Sequence, residues 1–162
     1  MFHPSLIEPD AELCEYLQGR VHLGDTSSSP AVTVYRDWGR PTNGLPTDFI
    51  VVFVNGDIEG LGSGIDFARG NLMVGLYSKM NDDGSVKINR IQKILQQIDK
   101  LIEGLCTDNY YFEYDMPQFI TPTTPNQASG YSVTMLNLRW TTNQHFSKSQ
   151  IIIENGNNNQ QN

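Results

Sequence analysis

Four glycines fall within nine residues in Val54-Asn-Gly-Asp-Ile-Glu-Gly-Leu-Gly-Ser-Gly-Ile-Asp66, directly after the most apolar run of the chain. A glycine-rich loop after a strand is where phosphate chemistry would begin, so the spacing is tested first. A P-loop needs a lysine and a helix N-terminus behind its glycines. No lysine follows Gly56–Gly62, and the next segment has strand character. Gly60, Gly62 and Gly64 space as G-x-G-x-G, not as the G-x-G-x-x-G that opens a helix in a dinucleotide site. Asp57, Glu59 and Asp66 would each repel a phosphate at ~4 Å by about 1 kcal/mol even in water. The loop reads as an acidic, flexible hairpin extension that orders against a neighbour.

Other candidate chemistry is as thin. Glu113 and Asp115 share a strand face and could act as a carboxylate pair, but a solvated strand face accounts for them. Asp82 and Asp83 in "NDDG" lack the oxygen ligands and distal glutamate of a calcium loop, so turn chemistry accounts for them. His3, His22 and His145 have no ligand spacing, which argues against a metal site. Cys14 and Cys106 are too few for a disulfide framework or a zinc site, and neither has the context of a nucleophile. No G-x-S-x-G and no basic aromatic stripe for single-stranded nucleic acid occurs. No catalytic, cofactor-binding or metal residue is therefore expected, and no cofactor.

The elements that hold these residues are clearer than the chemistry. Pro9–Gln18 has a proline and two acids in its first turn and Gly19 behind it, which predicts a short N-terminal helix. "AVTVYRDW" (31–38) alternates as a strand, and "GRPTNGLPT" (39–47) is a loop. "DFIVVFVN" (48–55) is apolar without alternation, as a strand covered on both faces would be. "FARGNLMVGLYSKM" (67–80) is a further strand, and "NDDG" turns the chain. From Val86 to Leu105, eight Ile and Leu residues starting at Ile88 fall on one helical stripe about 140° wide, with Ser85 placed as N-cap. "NYYFEYDMPQFI" (109–120) and "YSVTMLNLRWTT" (131–142) close the pattern as strands.

The order predicts an α+β domain over 1–150: a mainly antiparallel sheet, one long amphipathic helix packed on it and a short N-terminal helix. Residues 151–162, an isoleucine run followed by Asn and Gln, form an extension with too little apolar content to fold alone.

Charge separates function classes. The formal charge is -7, which disfavours non-specific binding to DNA or to anionic membranes. Residues 1–60 hold nine acids against three arginines, whereas 86–105 carry Lys87, Arg90, Lys93 and Lys100 against Asp99 and Glu103. Opposite-signed regions suit self-association, although two solvated faces that merely differ would look the same. No basic start and apolar core of a signal peptide and no membrane-length apolar run is present, so a soluble, cytoplasmically made protein is expected.

The order of "DFIVVFVN", "NLMVGLYSK", "VKINRIQKILQQIDKLIEGL" and "GYSVTMLNLRWTT" resembles the tail-terminator and tail-completion proteins of tailed bacteriophages. The match is one of pattern over about a third of the chain. The resemblance implies a virion structural protein, not an enzyme: a ring homo-oligomer, a hexamer in expectation, at the head–tail junction (the neck). It would be assembled in the host cytoplasm, contact tail-tube and connector proteins, and line the DNA passage without reading sequence. On that reading Asp57, Glu59, Leu61, Ile65 and Asp66 of the glycine loop face a neighbouring subunit or the tail tube. Arg90, Lys93 and Lys100 meet an acidic surface, and Ile151, Ile152 and Ile153 add a strand to a neighbour's sheet. A non-viral α+β adaptor domain and a small enzyme are the alternatives.

Overall fold

The computed structural model describes residues 7–59, 65–115, 130–143 and 146–147. Helix α1 spans Pro9–Leu17. Strand β1 (Thr33–Arg36) runs into a 3-10 turn at Asp37–Gly39, and β2 covers Asp48–Glu59. The short β3 (Ile65–Asp66) precedes β4 (Arg69–Lys79), helix α2 (Ile88–Ile102), β5 (Tyr110–Tyr114), β6 (Tyr131–Thr142) and β7 (Phe146–Ser147). Five strands form one mixed sheet in the order β1-β2-β4-β6-β5, parallel only between β1 and β2. β3 pairs separately with β7. The class is α+β, as the sequence order requires.

Alternation decides which side faces the helices. Ile50 and Val52 of β2, Leu72, Val74 and Leu76 of β4, and Leu136, Leu138 and Trp140 of β6 point to one side. There they share a core with Leu13 and Leu17 of α1 and with Ile91, Ile94, Leu95, Ile98 and Ile102 of α2. The other face carries Phe49, stacked on Tyr77 at 4.8 Å and edge-on to Tyr131 at 5.4 Å and Tyr35 at 5.9 Å. The 39–47 loop reaches over this aromatic group. Arg40 sits 5.6 Å from the Tyr77 ring centroid, and the Tyr131 hydroxyl donates to the Pro46 carbonyl at 2.8 Å. The expected double coverage of "DFIVVFVN" therefore holds for Asp48–Val52, which are buried, and ends at Phe53.

Two expectations about α2 need correction. The helix has 15 residues, not the twenty of Val86–Leu105. Ser85 does not cap it: its N–H bonds Asp83 Oδ1 and its Oγ accepts from Asn81 Nδ2, so it belongs to the preceding turn. Ile88 consequently sits at the first position of the helix and is exposed, although it lies on the predicted stripe. Nor is the polar side of α2 wholly solvated. Gln97 accepts from the His22 N–H and donates to the His22 carbonyl, both at 2.9 Å, and so fastens the 20–30 loop to the helix.

The acids of α1 act as tethers besides favouring the helix N-terminus. Glu12 accepts two bonds from Asn109, at 2.9 and 3.0 Å, and Asp10 is held by the Arg36 guanidinium through two. Cys14 of the same helix lies in the core. Burial first, and then the Asp10 carboxylate, push its thiol from 9.0 up to about 12, with Arg36 pulling the other way. The folded value exceeds the unfolded one, so this contribution is complete below about pH 9 and is lost as pH rises toward 12. We expect thermal melts to show an alkaline loss of stability over that window. A Cys14→Ala variant should lose less over the same window, by roughly 3 kcal/mol.

Candidate assembly surface

Beyond Val52 the β1 ladder stops, while β2 stays paired with β4 as far as Glu59–Arg69, and β4 with β6 as far as Arg69–Thr141. Gly56, at φ +81, takes the left-handed conformation that glycine adopts freely, and the register shifts between Asn55 and Glu59 as in a bulge. The end of β2 exposes two apolar side chains among polar ones: Val54 is 52% exposed and Ile58 42%. Phe67 at the base of β4 is also exposed. Burying such side chains against a partner yields about 25 cal/mol per Å² of apolar surface. Asp57 is exposed on the same stretch of β2, and Glu59 pairs with Arg69 at 3.2 Å. Ile65 and Asp66 form the β3 rungs with Ser147 and Phe146. Leu61 and Ile151–Ile153 lie outside the described residues.

The charged candidates on α2 go elsewhere. Arg90 bonds the buried Asp48 at 3.1 Å, and Lys93 bonds Asp25 at 3.0 Å. Two contacts anticipated between the acidic N-terminal region and the basic helix thus form within one chain. Lys100 is exposed. A shallow open depression lined by Val86–Arg90 sits at the start of α2.

The residues weighed for chemistry do not converge. Asp115 pairs with Arg139, and Glu113 stands opposite Arg139 across the β5–β6 ladder. The His22 ring is held by the Ser29 carbonyl at 2.9 Å. Cys106 is exposed. His3 and His145 fall outside the described residues. Among the described residues no three His, Cys, Asp or Glu side chains gather as a metal site, and no helix is long and apolar enough to cross a membrane.

Trp38 was not singled out in the sequence. It is 76% exposed on the 3-10 turn, with the Arg36 guanidinium 4.5 Å from its ring centroid. Its only sequence signal is a tryptophan closing a short strand before a Gly/Pro loop.

The fold places the chain among α+β proteins with two helices on one face of a mixed five-stranded sheet. No family model matches the sequence, and no curated protein matches it. A solved protein whose name describes no function is similar at 13% identity with a TM-score of 0.52, over 83% of this chain and 90% of that chain. At that identity the likeness shows the fold alone.

Proposed function

We propose that this chain is a structural subunit of a ring at the head–tail junction of a tailed bacteriophage, a tail terminator or connector without catalytic role. The observation that carries self-assembly is the end of β2, where Val54 and Ile58 are exposed beyond the last rung with β1. Isolated apolar side chains are ordinary on a surface, but two at one strand end, with the exposed Phe67 near the start of β4, fit a docking element. The phage setting rests on the sequence resemblance, and the acidic balance suits a DNA passage that must not adhere.

The expected result is a closed ring, of about six subunits, in native mass spectrometry across a concentration series. Val54→Asp together with Ile58→Asp should weaken assembly at least tenfold, about 1.4 kcal/mol, without lowering the melting temperature. A chain that stays monomeric at high concentration and binds no tail-tube or connector protein would refute the reading. Trp38 supports a second reading, an adaptor docking one protein partner, because exposed tryptophan and arginine are typical binding anchors. A monomer whose Trp38 fluorescence responds to that partner would favour it.

A further inference from the structure

Two Asn-Gly pairs stand among the described residues, Asn43-Gly44 in the 39–47 loop and Asn55-Gly56 in β2. An asparagine before glycine can cyclise: the glycine nitrogen attacks the side-chain amide carbon, with no side chain of its own in the way. The two pairs share this local chemistry, so any difference between them comes from the fold. Around Asn55 the fold resists. Lys79 N–H donates to Thr47, and the β2–β4 register runs unbroken from there to Asn55, so the odd-numbered residues of β2 bond β4. The Asn55 carbonyl, which would become part of the new ring, is therefore tied to Asn71 across the ladder. Asp83-Gly84, the aspartate analogue, is closed off as well. The Gly84 N–H donates to the Asn81 carbonyl at 2.9 Å, and Asp83 Oδ1 accepts from the Ser85 N–H at 2.9 Å. Around Asn43 nothing holds. Both residues of the pair are exposed, and neither Asn43 nor the Gly44 N–H makes a hydrogen bond among the described residues. Gly44 sits at φ +71, and no atom lies within 4 Å of where a Cβ on it would stand, so its nitrogen is open to the approach.

We infer that Asn43 is a modification site, deamidated spontaneously and selected by the fold, with water as the only co-reactant. The Gly44 nitrogen loses its proton and bonds to Asn43 Cγ. The Cγ–Nδ2 bond breaks and the amide nitrogen leaves with a proton as ammonia, giving a five-membered succinimide. Water then opens the ring at either carbonyl. Opening at Cγ yields aspartate. Opening at the main-chain carbonyl yields isoaspartate, in which the chain runs through the side chain. Both products add a carboxylate to a chain of formal charge -7. The isoaspartyl form also lengthens the backbone between Arg40, which sits over Tyr77, and Pro46, whose carbonyl accepts from the Tyr131 hydroxyl. The change thus falls in the loop that lies on the aromatic face of the sheet, at a surface position the fold leaves open.

The test ages the purified full-length protein for days in mildly alkaline buffer and follows both sites by peptide mass spectrometry. Cleavage before Asp48 separates Asn43 from Asn55. Isoaspartate is read independently, by methyl transfer from S-adenosylmethionine with an isoaspartyl methyltransferase. A third pair, Asn155-Gly156, lies outside the described residues and maps to its own fragment. In the folded chain Asn43 should convert about tenfold faster than Asn55 or more, with ammonia released in step. In urea the two rates should converge, since the ladder that separates them is gone. Asn43→Gln should remove the isoaspartate signal of the loop and leave the melting temperature unchanged. Equal rates at Asn43 and Asn55 in the folded protein would overturn the inference. So would an Asn43 that stays intact in the folded protein while the urea-unfolded chain converts.

Discussion

Arg90→Met will lower the free energy of unfolding by about 3 kcal/mol in urea titration at pH 7. The cost arises at the other end of the pair. Asp48 has a side chain 1% exposed, whereas Arg90 is 40% exposed. Its carboxylate takes 3.1 Å bonds from Arg90 Nη1 and Thr47 Oγ1 and a 2.6 Å bond from Ser78 Oγ. Removing the guanidinium leaves a buried charge with two hydroxyl donors, which cannot neutralise it. The Coulomb energy of the partly solvated pair is the smaller part of the loss. Asp48→Asn in the Arg90→Met background should therefore recover about 1 kcal/mol, because the orphaned charge is gone while one hydroxyl bond persists. A loss below about 1 kcal/mol for Arg90→Met would show that Ser78 and Thr47 already satisfy the carboxylate.

Trp140→Ala will cost about 4 kcal/mol, the largest effect expected from any single truncation here. The indole is fully buried on the helix-facing side of the sheet, edge-on to Tyr110 at 5.7 Å. It fits because the opposite residue on β4 is Gly70: a Cβ there would stand 2.8 Å from the indole Cζ2 and 2.9 Å from Nε1. Gly70→Ala should then destabilise by about 2 kcal/mol through overpacking. The indole Nε1 is buried without a hydrogen-bond partner, so Trp140→Phe gives up area but also removes an unmet donor, and should cost less than truncation to alanine. In the double variant Gly70→Ala with Trp140→Phe the smaller ring relieves the clash. A double-mutant cycle should show a coupling of about 1 kcal/mol in the stabilising direction, and strict additivity would refute the proposed fit.

Most of the fold was legible because its signals are local. The alternation of "YSVTMLNLRWTT" matches β6 residue for residue, with Ser132, Thr134, Leu136, Leu138 and Trp140 inward. The interior of α2 follows its stripe at Ile91, Ile94, Leu95, Ile98 and Ile102. Its ends did not, because Ser85 and Asp83 close the preceding turn, and a cap is decided by a competition between two local hydrogen-bond patterns. The 39–47 loop was recognised as a loop, but no period announces that its Arg40 and Pro46 meet the aromatic face of the sheet.

Composition and order alone determined the α+β class, the acidic surface and the weakness of any catalytic motif, since these depend on residue type and near-neighbour spacing. The tertiary structure alone decided which charges remain for a partner. Asp25 and Lys93 are 68 residues apart in the chain and Asp48 and Arg90 are 42 apart, and both pairs close within it. It alone also showed that the β1 ladder ends at Val52 while β2 continues to Glu59, because the length of a ladder is set by how two distant strands register. Electrostatic pairing and strand edges are properties of distance in space, and a sequence without contacts records neither.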